Sequence, residues 1–310
     1  MQTREIECFL FIMRWKENLI RLYLLVCEDK GIQNYLKSYK QSHNQTADFT
    51  DEEVLTLYLF GISEGMSKVK HIHRYTRQHL QSWFPKLPSY QGFNDRLNNL
   101  GGCFELLAGG LTQAALPALL FNKEKVIDSM PIMVAGNNRS STAKVAKQIC
   151  SKGYCSSKQT YYYGLKLHTI GIVRPGTLPM PEASWITGAH ENDLTVARPA
   201  FESQYNTKIY ADKIYADVDL NKTMMEKQNS VIITPVKKAK GQILKDAADD
   251  LFSTAVSGIR QPIESFFNWI IEKTHIQKAN RVRSERGLLV HVWGKYAVAL
   301  LWITKFLTLD

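Results

Sequence analysis

From Phe121 onward the chain changes texture, and the order of the elements that follow narrows the fold more than any other feature. Lys125-Val126-Ile127-Asp128 starts a strand that continues through Ile132-Met133-Val134, with Pro131 suggesting a bulge or an edge. A polar, basic loop covers Gly136 to Lys158. Tyr161 to Val173 is a long strand rich in aromatic and β-branched residues. Arg174-Pro175-Gly176-Thr177 makes a turn, and Met180 to Thr187 returns as a third strand. His190-Glu191-Asn192-Asp193 opens a helix to about Gln204, and Lys208 to Asp212 is a fourth strand ending in an acid. Asp217 to Lys227 is helical, Val231 to Pro235 is a fifth strand, and Gln242 to Ser253 is a short helix before the final one. The order β-β-β-α-β-α-β-α predicts a mixed sheet with helices on both faces, because the later strands need helical crossovers.

The helix after that series runs through Arg260-Gln261-Pro262-Ile263-Glu264-Ser265-Phe266-Phe267-Asn268-Trp269-Ile270-Ile271. Ile263, Phe266, Phe267 and Ile270 recur at i, i+3, i+4 and i+7, so they form its buried stripe. Glu264 borders that stripe, where a carboxylate is costly unless a cation or hydrogen bonds compensate it. Arg260, one turn earlier, projects from the same side. Taken alone the two make a surface i,i+4 pair worth roughly a few tenths of a kcal/mol. Asp128 and Asp212 have ordinary readings too, as a strand-end turn former and a helix N-cap. Taken together, two aspartates on strands and a glutamate on the following helix are three acids that a metal could gather. Asp193 better suits a helix start, and Asp250 falls in the loop before the Glu264 helix.

Residues 1 to about 120 are expected to be helical throughout. Thr50 and Glu53 are spaced as a capping box before Val54-Leu55-Thr56-Leu57-Tyr58-Leu59-Phe60, and Gly61 and Gly65 close that helix. His71, His73, Arg74, Arg77 and His79 follow, either a solvated face or a DNA-contacting helix. Ser89 to Leu100 and Phe104 to Leu120 are further helices, and Trp269, Trp293 and Trp302 at helical spacing belong to the core. The expected division is therefore a helical domain over 1–120 and a sheet domain with C-terminal helices over 121–310.

A net charge of +10 and a pI near 9.2 point to a polyanionic partner, most often nucleic acid. Cys8, Cys27, Cys103, Cys150 and Cys155 are odd in number and form no C-x-x-C pair, which suits a reducing compartment and argues against a structural zinc. Lys16, Glu17 and Arg21 interrupt the apolar run around Leu19 to Val26, and Tyr296 to Leu307 is too short to span a bilayer. No membrane span and a cytoplasmic location are expected.

The strand and helix order is also that of the ribonuclease-H-like fold. From about residue 121 to 290 the sequence resembles a bacterial insertion-sequence transposase with an Asp-Asp-Glu catalytic domain. The resemblance rests on Val126-Ile127-Asp128-Ser129, Tyr163-Gly164-Leu165-Lys166-Leu167-His168, Tyr210-Ala211-Asp212-Lys213-Ile214-Tyr215 and Arg260-x-x-Ile263-Glu264-x-x-Phe267. The first and third are short and individually weak, but in order and on the expected elements they are specific together. Thr50 to Leu57 resembles the leader of the same proteins. The chain departs from the pattern at Ile214, Ser257 and Ile271, where relatives often carry a glycine, a tyrosine and a lysine; Lys273 stands two residues late for the last.

The resemblance implies a transposase that cleaves insertion-sequence ends and joins the freed 3′-hydroxyl to target DNA. Such chemistry uses two divalent ions about 3.5–4 Å apart, clamping the attacking and leaving oxygens. Asp128, Asp212 and Glu264 would be both the catalytic acids and the ligands, with Asp128 bridging. Hard oxygen ligands select Mg²⁺, with Mn²⁺ as a substitute. Lys213 and Arg260 neighbour proposed ligands and are candidate phosphate contacts. Lys237, Lys238, Lys240, Arg281, Arg283 and Arg286 are candidates for a DNA track. Lys166 and His168 share one strand face, either near the scissile phosphate or, as expected, as a structural strand pair. The implied partners are double-stranded DNA, as transposon ends and target, and a second copy in a homodimeric DNA complex associated with the nucleoid. Two other functions stay open: a structure-specific nuclease on the same fold, and a transposase-derived DNA-binding protein without catalysis.

Overall fold

The computed structural model describes the backbone of residues 2–39, 47–119, 121–238, 241–242 and 244–307, with side chains from residue 15 onward. The chain divides into two compact units. Met1–Leu111, Lys273–Ile276 and Arg283–Asp310 form one, and Thr112–Glu272 with Gln277–Val282 form the other.

The first unit begins with α1 (Gln2–Glu28), α2 (Lys30–Tyr39), α3 (Asp51–Ser63), α4 (Val69–His79), α5 (Tyr90–Asn99) and most of α6 (Gly101–Ala115). The expected capping box starts α3. Thr50 Oγ1 accepts the Glu53 N–H at 3.2 Å, and Glu53 Oε2 accepts the Thr50 N–H at 2.5 Å. Val54 to Ile62 are all buried, so α3 is a core helix on every side. Gly61 does not end it. A Cβ there would sit 2.4 Å from Ile72 Cγ1, so glycine is what lets α4 approach this closely. The basic α4 has two faces: Ile72, His73 and Thr76 are buried, with His73 Nε2 2.9 Å from Pro88 O, while Arg74, Arg77 and His79 are exposed.

The second unit is built on a six-stranded mixed sheet. Its strands are β1 (Glu124–Ala135), β2 (Ser151–Cys155), β3 (Thr160–Ile172), β4 (Met180–Gly188), β5 (Lys208–Tyr210) and β6 (Val231–Ile233). The order is β2-β3-β1-β5-β6, with β4 also on β3. β1, β3 and β4 are an antiparallel meander, and β5 and β6 add in parallel on the other side of β1. This is the mixed sheet of the ribonuclease-H-like fold. Strand β2 was not expected. It lies in the polar loop and pairs with the first residues of β3, a short edge strand whose only fully hydrophobic buried side chain is Cys155.

Pro131 lies within β1 rather than at a bulge. The Met133 N–H points away from β3, to Gln277 O at 2.8 Å. By the two-residue alternation of a strand, the nitrogen of Pro131 faces the same edge, beyond the last residue that β5 pairs, Val126. A missing donor costs no ladder bond there. The irregularity falls instead between Met133 and Ala135, opposite Gly164, where a Cβ would lie 2.0 Å from Ile132 O.

Helices α7 (Asp193–Phe201) and α8 (Val218–Gln228) cover one face, packing Ala197, Phe201 and Met224 onto Ile127, Ile170, Ile209 and Ile232. The other acid-bearing helix is longer than expected. One helix, α9 (Ala247–Thr274), replaces the two helices separated by a loop. Pro262 is accommodated inside it, at the loss of one backbone hydrogen bond to residue 258. Asp250 consequently lies in the first turn of α9, not in a loop.

α10 (Glu285–Leu289), a π-helical turn (Val290–Gly294) and α11 (Lys295–Ile303) close the chain. They pack with the N-terminal helices rather than with the sheet as the expected boundary had it. α11 packs on α3 and α10 on α5, and Tyr58 Oη donates to Val290 O at 3.3 Å. The physical reason is that Lys295 to Trp302 are buried on all sides of α11, and Val54 to Ile62 are likewise buried on all sides of α3. Trp293 and Trp302 are buried as expected, and Trp269 is half-buried.

Candidate active site

The parallel register of β1 and β5 sets two of the three acids side by side. Val126 pairs with Tyr210, so two residues further along each chain Asp128 and Asp212 reach the same level. Asp128 is still within β1, whereas Asp212 has just left β5 and stands before a single 3-10 turn, Lys213–Tyr215. Its carboxylate makes no capping bond, so the ordinary role open to it from sequence is not the one it takes.

The third acid arrives on α9. Ile263, Phe266, Phe267 and Ile270 are all buried, as the helical spacing predicts. Anchoring that stripe turns Arg260 toward the sheet. Its Nη2 lies 3.2 Å from Asp128 Oδ2 and 2.7 Å from Glu264 Oε1, and its Nη1 lies 3.9 Å from Asp212 Oδ1. Asp128 Oδ1 accepts the Ser129 N–H at 2.8 Å. Three carboxylates from three separate elements therefore converge on one guanidinium.

Exposure differs across the group. The Asp128 and Arg260 side chains are 21% and 12% exposed, while Asp212 and Glu264 are 48% and 52% exposed. Glu264 is thus more open than its place beside the buried stripe suggests, and its i,i+4 contact alone contributes little. Burial pushes the Asp128 carboxyl up to about 6, against the pull of Arg260 and the Ser129 N–H. Burial works against the charge of Arg260, but the neighbouring carboxylates, Asp128 first, outweigh it and hold the guanidinium's pKa above its ordinary value.

Asp193, Lys166 and His168 are a second polar cluster. Asn192, not Asp193, caps α7, its side chain accepting the Thr195 N–H at 3.2 Å. Asp193 is buried, with Oδ1 2.9 Å from Lys166 Nζ, 3.3 Å from Ser129 Oγ and 3.8 Å from His168 Nδ1. His168 stacks on Trp185 at 5.3 Å, its Nε2 is 2.8 Å from Thr187 Oγ1, and burial pushes its pKa down to about 4. The cluster is internal, and Asp193 is compensated by its Lys166 ion pair, while His168 Nδ1 is buried without a hydrogen-bond partner.

The basic candidates are spread out. In the second unit Lys213, Lys237, Lys238 and Arg281 are exposed, and Arg260 is bound to the acids. Arg283 and Arg286 are exposed in the first unit, and Arg286 Nη1 donates to Asn99 Oδ1 at 2.5 Å. Lys240 lies outside the described residues. Cys27, Cys103, Cys150 and Cys155 are not in disulfides, and the side chain of Cys8 is outside the described ones.

The sequence pointed to the acids but not to what lies among them. The i,i+4 spacing placed Arg260 beside Glu264, yet its approach to two aspartates from different strands has no local signal. The donor set suits a hard divalent cation: oxygen ligands only, with a formal excess of two negative charges over the guanidinium. As the side chains stand, no three His, Cys, Asp or Glu among the described residues are close enough together to hold one ion.

A mixed sheet of this order, with acids on β1, just after β5 and on α9, defines a ribonuclease-H-like domain. Residues 121–285 match the transposase DDE domain family, and the chain belongs to it. The family makes this a transposase, with DNA as its substrate class. No curated protein matches the chain. Among the described residues no helix is long and apolar enough to cross a membrane.

Proposed function

We propose that this transposase cuts insertion-sequence ends and joins the freed 3′-hydroxyl to target DNA, with Asp128, Asp212 and Glu264 as its catalytic acids. The observation that carries this reading is the convergence of those three acids, from β1, the end of β5 and α9, around Arg260. The three would hold divalent cations, Mg²⁺ or Mn²⁺ in its place, with Asp128 shared. When bound, such ions activate water and stabilise the leaving oxygen of a phosphodiester.

The chain's own residues supply the rest. The buried stripe of α9 fixes Glu264 against the sheet, and the β1–β5 register fixes the spacing of the aspartates. Arg260 and the Ser129 N–H both favour the ionised form of Asp128, the form that a cation would bind. Lys213, exposed beside Asp212, and Arg260 meet backbone phosphates near the cut. Lys237, Lys238, Lys240, Arg281, Arg283 and Arg286 bind the flanking duplex, and the N-terminal helices recognise the element's ends. A homodimer in the cytoplasm, bridging two ends on the nucleoid, follows from the same reading.

The test is incubation with labelled DNA carrying the element's end and a target duplex, in Mg²⁺ or EDTA, beside Asp212→Ala. Nicking at the end followed by joined product, both requiring metal and Asp212, is expected. Nicking without joining would favour a structure-specific nuclease. Tight binding with no metal-dependent cut by either protein would leave a DNA-binding role without catalysis.

A further inference from the structure

Arg260 is used more heavily than a phosphate contact should be. Its Nη2 is shared between Asp128 Oδ2 and Glu264 Oε1, and Nη1 faces Asp212 Oδ1. Its Nε is buried without an acceptor. The side chain is only 12% exposed, beneath two acids that are each about half exposed. The carboxylates thus line the open side of the site, and the guanidinium lies on the oxygens that a hard cation would take. An arginine stays charged at any ordinary pH, so it leaves such a site by exchange of one cation for another, not by losing a proton.

We infer that Arg260 is a positioning residue that serves as the site's internal counterion, gathering Asp128, Asp212 and Glu264 before metal arrives and being displaced when it does. The orphaned Nε favours exchange, because the guanidinium is held only through its terminal nitrogens and leaves one donor unsatisfied where it lies. Displacement also frees the guanidinium for DNA, since at 12% exposure it offers a phosphate little access where it lies. Metal loading comes first, and the phosphate contact follows. The inference rests on the proposal that the three acids bind metal.

The test is Mn²⁺ binding without DNA, followed through loss of the free-ion electron paramagnetic resonance signal, for wild type, Arg260→Met and Asp212→Ala. Removing a unit positive charge a few ångströms from the ion should tighten Mn²⁺ binding at least about tenfold in Arg260→Met. A side chain that merely supported the fold would give no such gain on removal. Unchanged or weaker binding by Arg260→Met, with binding still lost in Asp212→Ala, would overturn the displacement and leave the acid site standing. Binding by Asp212→Ala equal to wild type would remove the metal site and the inference with it. If Arg260→Met does not fold, the wild type decides. The ¹⁵N guanidinium signal missing from Arg260→Lys should be protected from solvent exchange in EDTA and lose that protection in Mg²⁺; a signal that Mg²⁺ leaves unchanged overturns the inference.

Discussion

Lys166 Nζ lies 2.9 Å from Asp193 Oδ1, tying the middle of β3 to the first residue of α7. Ser129 Oγ reaches the same oxygen at 3.3 Å, and Ser129 directly follows Asp128 on β1. Lys166 also donates to Glu191 O at 2.9 Å. Both side chains are largely buried. Removing one partner leaves the other charge without compensation, so Asp193→Ala should cost about 3–5 kcal/mol, read from urea unfolding. Asp193→Leu with Lys166→Met should recover much of that loss, because an apolar pair of similar size removes both charges at once.

Lys295 gives the stability a pH dependence. It is 2% exposed within α11, its Nζ 3.4 Å from His275 O, and burial pushes its pKa down to about 7. The unfolded chain holds this proton up to about pH 10.4. Between about 7 and that value the unfolded state binds more protons, so the stability rises with pH across the window. Below it the folded state carries the full cost of a buried ammonium. Lys295→Met should therefore stabilise the protein near neutral pH by about 1–4 kcal/mol and flatten the rise, as seen in urea midpoints from neutral to alkaline pH.

The order of events at Arg260 is separately visible in DNA binding. In EDTA the guanidinium is occupied by carboxylates, so Arg260→Met should bind an end-bearing duplex like wild type. In Ca²⁺, another hard ion that takes oxygen ligands, wild type should gain more affinity than the variant, whose salt slope should be lower by about one. Equal behaviour of the two proteins in Ca²⁺ would remove the phosphate contact.

Periodicity carried much of the fold. The β-branched and aromatic runs gave β1, β3, β4, β5 and β6 to within a residue or two, and the Ile263–Ile270 spacing gave the buried face of α9. What it did not carry has particular causes. Strand β2 is too short and polar to stand out from its loop, and it exists because the start of β3 offers it an open edge. α9 was split because Pro262 and Gly258 weaken a local helix signal that its long packed face overrides. α11 was expected with the sheet because a helix buried on every side does not say which core will bury it. At the site, the three acids were legible as types on elements. The guanidinium among them was not, since that meeting is made by the β1–β5 register and the seating of α9.

The most direct measurement is the single-turnover rate of cutting an end-bearing DNA in Mg²⁺ by wild type, Asp212→Asn and Asp217→Asn. Asp217 is a nearby acid that caps α8 through its Oδ1, a role asparagine retains. A lost ligand should slow cutting by more than about a hundredfold, the upper end for residues that only support ligands. Asp212→Asn should show that loss while Asp217→Asn cuts at nearly the wild-type rate. Equal cutting by Asp212→Asn and wild type would contradict the assignment of the three acids as the catalytic centre.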